Sequence, residues 1–322
     1  MTETLPDDPA PELVLGTMTF ADTVDERGAA EMLDVAREAG IVHLDTANAY
    51  ARGATEEMLG RLLAGRRDEV RIASKVGMPH ADAGEDALLS PAAVTRCVEA
   101  SLRRLGTDHL DLLYLHQPDR STPLPETLGA VADLVKAGKV TELGVSNFAA
   151  WQIADVEQAA DAAGAPRPVV TQQLYNLLAR RIEEEYAEFA RTHGLRTMVY
   201  NPLGGGLLTG RHRFEERPTE GRYGSSALAA MYTDRYWDAQ LFSAVEELRT
   251  AAEGAGIPLA ELALRWTAHR REVDALLLGG SRPEQVRANV AAIARGPLPA
   301  DVLAVCDEVG RTLRGPSPAY NR

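Results

Sequence analysis

Short, almost wholly apolar runs alternate along the chain with longer stretches in which apolar residues recur at helical spacing. The apolar runs fall at 13–15, 42–45, 70–74, 110–115, 140–145, 169–173, 196–200 and 275–278. Each reads as a strand buried on both faces, as strands of parallel sheets are. The intervening stretches predict helices over 26–39, 55–64, 91–105, 124–137, 150–162, 182–193 and 283–294. Ser90-Pro91 places a capping hydroxyl before a proline at a first helical position. Gly40, Gly138, Gly164 and Gly194 follow helix ends, where a left-handed residue is needed. Eight β–α units in series predict an α/β fold, a (β/α)8 TIM barrel with helices ringing a parallel core.

Two segments break the repeat. Residues 204–237 follow the seventh strand and are rich in Gly, Arg and Tyr, which predicts a long functional loop. Beyond Pro297, residues 300–312 predict an extra C-terminal helix and 314–322 an extended tail. Before the eighth strand, two further helices are expected at 239–252 and 259–267. With no linker and no second core, the expectation is one barrel domain over 11–322 after a flexible arm, 1–10.

Composition narrows the class of partner. A net charge of −13 argues against a nucleic-acid surface. No apolar run is long enough to span a membrane. The acidic, Pro-rich start lacks the basic and apolar regions of a secretory leader. Cys97 and Cys306 match no metal spacing and read as small buried helix residues, so no metal site and a reducing cytoplasm are expected.

Candidate chemistry sits where the strands end. Tyr50 follows Leu44-Asp-Thr-Ala-Asn-Ala, Lys75 closes Val70-Arg-Ile-Ala-Ser, and His116 closes Leu110-Asp-Leu-Leu-Tyr-Leu. Asp45 ends the strand leading to Tyr50. Polar groups at the carboxyl ends of successive parallel strands converge on one mouth. A phenol titrates at about 10, and a nearby ammonium lowers that value. Lys75 is placed to supply the ammonium, Asp45 to hold Lys75 by an ion pair, and His116 to donate to a substrate oxygen or relay a proton. Together they would protonate the oxyanion formed when hydride attacks a carbonyl. Singly, each is commoner as a loop anchor, a solvated side chain or a core residue; the conjunction at consecutive strand ends favours chemistry.

Later strand ends add recognition groups. Ser146, Asn147 and Gln172 offer hydroxyl and amides suited to a nicotinamide carboxamide, and Tyr200 a surface for a flat ring. The run Asn201, Pro202, Leu203, Gly204, Gly205 and Gly206, continuing through Leu207, Leu208, Thr209 and Gly210, exposes backbone N–H groups to a pyrophosphate. No GxGxxG follows the first strand, so this is not the fingerprint of an open doubly wound sheet. After the eighth strand, Gly279, Gly280, Ser281 and Arg282 open a helix whose N-terminus suits a phosphate. Ser281 and Arg282 favour a 2′-phosphate, hence NADP over NAD.

These segments, with Gly144-Val-Ser-Asn-Phe148 and Tyr200-Asn-Pro-Leu203, resemble the aldo-keto reductase superfamily over roughly residues 11–322. The stretches from His116 to Leu128, Asn147 to Trp151, Asn201 to Gly210 and Ala230 to Trp237, with the ending Tyr320-Asn-Arg322, are similar to its aflatoxin-aldehyde / succinic-semialdehyde reductase branch. The resemblance implies an NADP(H)-binding barrel, a catalytic tetrad of Asp45, Tyr50, Lys75 and His116, and Tyr50 as proton donor. It also implies cofactor contacts from Ser146, Asn147, Gln172, residues 201–210, Arg211, Arg222, residues 279–282, Gln285 and Asn289. Substrate contacts would come from His116, Tyr232, Arg235 and Arg322, and the branch points to a homodimer. Two arginines near the reacting carbonyl suit a substrate carboxylate. There are three departures: Gly204 where the branch more often has alanine, which is minor, a segment 221–231 one residue shorter, and no aromatic residue before Arg322; the last two touch the lid and the substrate pocket.

The expected activity is NADPH-dependent reduction of an aldehyde, one bearing a carboxylate such as succinic semialdehyde, or a dialdehyde, to the alcohol. Other specificities within the superfamily (sugar, methylglyoxal or quinone reduction) stay open. So does a cofactor-sensing regulatory subunit like the potassium-channel β subunits on the same fold.

Overall fold

In the computed structural model, which describes residues 10–226 and 228–316, eight parallel strands close on themselves. They are β1 (Glu12–Gly16), β2 (His43–Asp45), β3 (Arg71–Val76), β4 (Leu110–Leu115), β5 (Val140–Ser146), β6 (Val170–Leu174), β7 (Arg196–Tyr200) and β8 (Ala275–Leu278). Neighbours in sequence are neighbours in the sheet, and β8 returns to pair with β1 in the register Leu15↔Leu278. The expected (β/α)8 barrel is what forms.

The connecting helices are α1 (Glu26–Glu38), α2 (Ala54–Leu62), α3 (Pro91–Leu105), α4 (Leu124–Lys136), α5 (Ala150–Ala163), α6 (Tyr186–His193), α7 (Ala229–Tyr236), α8 (Ala239–Gly254), α9 (Leu259–Ala268), α10 (Pro283–Ile293) and α11 (Ala300–Arg314). Ser90 caps α3 by accepting from Ala93 N–H at 3.3 Å. Gly40, Gly138, Gly164 and Gly194 all take positive φ. Cys97 on α3 and Cys306 on α11 are free and buried.

The barrel interior is plugged by Val14, Ala73, Leu112, Tyr114, Val170, Met198 and Ala275. Gly144 makes room for this plug, because a Cβ there would lie 2.6 Å from the Tyr114 ring. Two further apolar clusters fill the space between strands and helices. One runs under α1 to α5, the other under α8, α9 and α11.

Two expectations change. The helix expected at 182–193 starts only at Tyr186, after a 3-10 turn at Arg181–Glu183. Glu183 there is tied to Arg180 and to the Tyr175 hydroxyl, which holds the chain in that turn. The segment 204–237, expected as a loop, contains α7. Tyr232 and Tyr236, four residues apart, bury one face of that helix. Arg322, most of the expected tail and residues 1–9 of the expected arm lie outside the described residues.

Candidate active site

Asp45, Lys75 and His116 meet at the carboxyl end of the barrel because β2, β3 and β4 are adjacent and in register. Lys75 is fully buried in β3 and uses its three donors on three partners. It pairs with Asp45 Oδ1, donates to the Thr46 carbonyl at 2.9 Å and to the Tyr50 hydroxyl at 3.1 Å. The other Asp45 oxygen accepts from Gln172 Nε2 at 2.8 Å. Tyr50 arrives from the loop after β2, its ring edge-on to His116 with centroids 6.0 Å apart. The four expected residues therefore form one cluster, and the lysine is immobilised by it.

The electrostatics differ from expectation at one point. Burial pushes the Tyr50 phenol above its ordinary value; Lys75 opposes this without overcoming it. Tyr50 therefore stays protonated at neutral pH, where the sequence alone suggested acidification. Burial would depress the Lys75 ammonium, yet Asp45 and Tyr50 outweigh it and raise its pKa. Burial, helped by Lys75, drives the His116 imidazole well below its ordinary range, so it is neutral. His116 Nδ1 and both polar atoms of the Asn48 side chain are buried and find no hydrogen-bond partner among the described residues.

The next wall comes from β5, β6 and β7. Ser146 Oγ donates to the Gln172 carbonyl at 3.0 Å. Asn147, at φ +62°, donates to the His116 carbonyl at 2.9 Å and accepts from the Tyr200 hydroxyl at 2.7 Å. Burial raises the Tyr200 phenol while the nearby Arg235 on α7 opposes the rise, and Tyr232 lies close enough to Tyr50 to act on its ionisation. His116, Tyr232 and Arg235, the three expected substrate-side residues among the described ones, thus lie on this side of the barrel.

Asn201 shapes the glycine run. At φ +65° it accepts from Gly205 N–H at 2.8 Å, and Gly204, Gly205 and Gly206 all take positive φ. A Cβ at Gly205 would lie 2.6 Å from the Tyr223 hydroxyl, whereas Gly206 has no neighbour closer than 3.7 Å. Leu207 and Leu208 turn their side chains into the core, so only their backbone is available to a ligand. Thr209 Oγ1 closes the turn on the Gly206 carbonyl at 2.6 Å. Arg211 is exposed beside His212, and Arg222 lies over the Tyr232 ring.

At the N-terminus of α10 the expected residues lie together in one loop. Gln285 Oε1 accepts from the Ser281 N–H at 2.8 Å. Gly279 has no atom within 3.8 Å of its would-be Cβ other than a backbone oxygen at that distance. Asn289 Nδ2 reaches the Gly279 carbonyl at 3.4 Å. Arg282 is exposed at the N-cap and makes no ion pair among the described residues. The sequence reading missed Asn176 and Tyr236. The Tyr236 hydroxyl accepts from Asn176 at 3.1 Å and from Asn201 at 2.9 Å, fastening α7 to the glycine run. Its spacing from Tyr232 was the available signal.

Two clefts of about 270 and 370 Å³ open at the opposite, amino end of the strands, around Arg196 and Asp274 and around Arg71 and Asp111. Neither includes a residue of the cluster at the carboxyl end.

A parallel barrel with coupled ionisable groups at the carboxyl ends of its strands is an enzyme architecture. The chain matches the Aldo/keto reductase family over residues 12–311 and belongs to it. It is thus an NAD(P)-dependent oxidoreductase of that family. It is 36% identical to aflatoxin B1 aldehyde reductase member 2 of Homo sapiens, over 98% of this chain and 91% of that protein. It is also 36% identical to aldo-keto reductase family 7 member A3 of Homo sapiens, over 97% of each chain. At 32% identity, over 87% of this chain and 86% of the relative, it resembles a probable voltage-gated potassium channel subunit beta of Arabidopsis thaliana.

Proposed function

We propose that the protein reduces aldehydes to alcohols with NADPH, with Tyr50 as proton donor. The observation that carries this reading is the Tyr50 hydroxyl 3.1 Å from a fully buried, fully coordinated Lys75 ammonium. Relatives similar over nearly the whole chain bear names that describe aldehyde reductases.

The residues present fit a dinucleotide. The backbone at Gly206 and Gly279 stands in open space, with no atom closer than 3.7 Å to a would-be Cβ, and Arg282, at a helix N-terminus, makes no ion pair among the described residues. Ser281 and Arg282 would hold a 2′-phosphate, and Gln172, Asn147 and Ser146 would orient the nicotinamide amide. Held there, NADPH would be the source of the hydride for the carbonyl carbon. Tyr50, protonated at neutral pH, gives its proton to the oxygen as charge grows there. Lys75 stabilises the phenolate left behind, and Asp45 keeps Lys75 charged and in place. His116, neutral, orients the carbonyl oxygen by hydrogen bonding. Arg235, with Arg322 from the tail, would pair with a substrate carboxylate, which selects aldehydes such as succinic semialdehyde.

Tyr50→Phe tests the reading. Loss of a positioned acid costs about 10²–10⁴-fold in turnover. NADPH oxidation should fall by that factor while NADPH binding, followed by fluorescence titration, is retained. Turnover near that of the unaltered enzyme would sink the mechanism. Because burial raises the phenol, kcat for reduction should show no Tyr50-dependent loss from pH 6 to 9 and should fall only at pH above the ordinary phenol value of 10.0. Substrate choice is read by comparing kcat/KM for succinic semialdehyde and a neutral aldehyde in Arg235→Ala. Equal losses for both would remove the carboxylate role.

A further inference from the structure

We infer that Arg104, acting with Glu56, is a positioning residue for Tyr50, holding the left-handed turn behind it against the strand that carries Lys75. This rests on the reading of Tyr50 as proton donor.

The chain leaves Tyr50 through three consecutive left-handed residues, Ala51 at φ +44°, Arg52 at φ +56° and Gly53 at φ +94°. Two of these carry a Cβ, and for such residues this region is costly. A turn of that kind persists only where its surroundings over-determine it. Here the surroundings are ionic. Arg104 on α3 lies against Gly53, so that a Cβ at 53 would be 3.0 Å from its Nε. That Nε donates at 2.8 Å to Glu56, two residues into α2. Glu56 is fully buried, and its other oxygen accepts from Ser74 Oγ at 2.6 Å. Ser74 immediately precedes Lys75 on β3. The second face of Arg104 meets Asp82, beyond β3, at 2.8 Å.

One carboxylate and one guanidinium therefore tie together the turn after Tyr50, the start of α2, the end of α3 and the residue next to Lys75. The two helices pack backbone to backbone beside this link, since a Cβ at Gly60 on α2 would lie 2.3 Å from the Arg104 carbonyl. A buried ion pair is a poor way to gain stability, since well-packed apolar residues of similar volume do as well or better. Its merit here is directional. It fixes the distance between the segment that delivers the phenol and the strand that delivers the ammonium. A misplacement of about 1 Å at a reacting group can cost on the order of 10²-fold in rate.

The test uses the full-length enzyme and two routes into the network. Arg104→Met leaves Glu56 buried and unpaired, so Ser74→Ala, which keeps both charges, guards against a variant that fails to fold. For each, kcat, KM and the NADPH Kd are measured, and Arg104→Lys is tested for partial rescue. The expected result is a fall in kcat of about tenfold or more, with KM and the NADPH Kd within about twofold. Unchanged kcat in Ser74→Ala, or in a folded, NADPH-binding Arg104→Met, would overturn the proposal.

A double-mutant cycle separates positioning from bulk stability. If Arg104 acts through Tyr50, adding Arg104→Met to Tyr50→Phe should leave the residual rate unchanged. A further loss of the same size as in the unaltered background would count against it. Should Tyr50→Phe retain full turnover, it is the proton-donor reading that fails, and the Arg104 single variants report that failure separately.

Discussion

The two walls of the barrel mouth are held by opposite means. On the β2–β4 side the polar groups are buried and locked by charge: Asp45 on Lys75, Lys75 on Tyr50, Glu56 on Arg104. On the side built after β5, β7 and β8 the framework is backbone, with left-handed Asn147, Asn201 and three glycines, and charges such as Arg211 and Arg282 at its rim stand exposed. A proton donor needs a fixed distance and a dry surrounding, and buried ion pairs supply both. A phosphate needs N–H groups and room, and glycine backbone supplies those. On the proposed function, the contrast teaches that chemistry is set by side-chain coupling and recognition by main-chain shape.

That contrast can be broken by substitution. Lys75→Met should have the largest effect, because it leaves Asp45 buried without its counter-ion. Removing one partner of a buried pair costs about 3–5 kcal/mol, read by urea unfolding. A loss under about 1 kcal/mol would show that the coupled wall is not coupled. Arg282→Ala should be milder and selective. One charge-assisted contact is worth about 1.5–3 kcal/mol, so the NADPH Kd should rise at least about tenfold with little change for NADH. Equal changes for both would take the 2′-phosphate away from Arg282.

The smallest effect belongs at the other end of the barrel, as a control. There Glu12 is held down at about 2 by hydrogen bonds from His43 and then Arg196, against an ordinary 4.5. A carboxyl depressed on folding contributes stability above pH 4.5 and loses it as pH falls towards 2. Glu12→Gln should therefore cost about 1–2 kcal/mol at pH 7 after allowance for its partial exposure, and flatten acid unfolding in that window. Turnover per folded molecule should not change. If it does, the two ends of the barrel are not independent.

The barrel and the meeting of Asp45, Tyr50, Lys75 and His116 were legible in the sequence, because short apolar runs with polar residues at their carboxyl ends leave little choice of topology. Helix ends were legible where a serine, proline or glycine marked them, as at Ser90 and Gly164. The helix α7 was not, since Gly and Arg around it mask the i, i+4 tyrosines that bury it. The sign of the Tyr50 shift was not legible either. It depends on how much solvent the fold removes from the phenol, which weighs more than the lysine beside it. The Glu56–Arg104 link was invisible because the two residues are far apart in sequence and meet only once α2 and α3 pack, with close approach at Gly60 and shared apolar core.

The closure of β8 on β1 has a consequence for how the enzyme is made. A ribosome delivers Asp45, Tyr50, Lys75 and His116 in the first part of synthesis, whereas the strand that completes the ring comes near its end. Until then the nascent half-barrel presents open edges at β1 and at its latest strand, with the lysine and aspartate still wetted. Such contacts between distant parts of a chain form slowly. The price is a long interval in which that half-barrel must be kept from pairing with its neighbours on the same message.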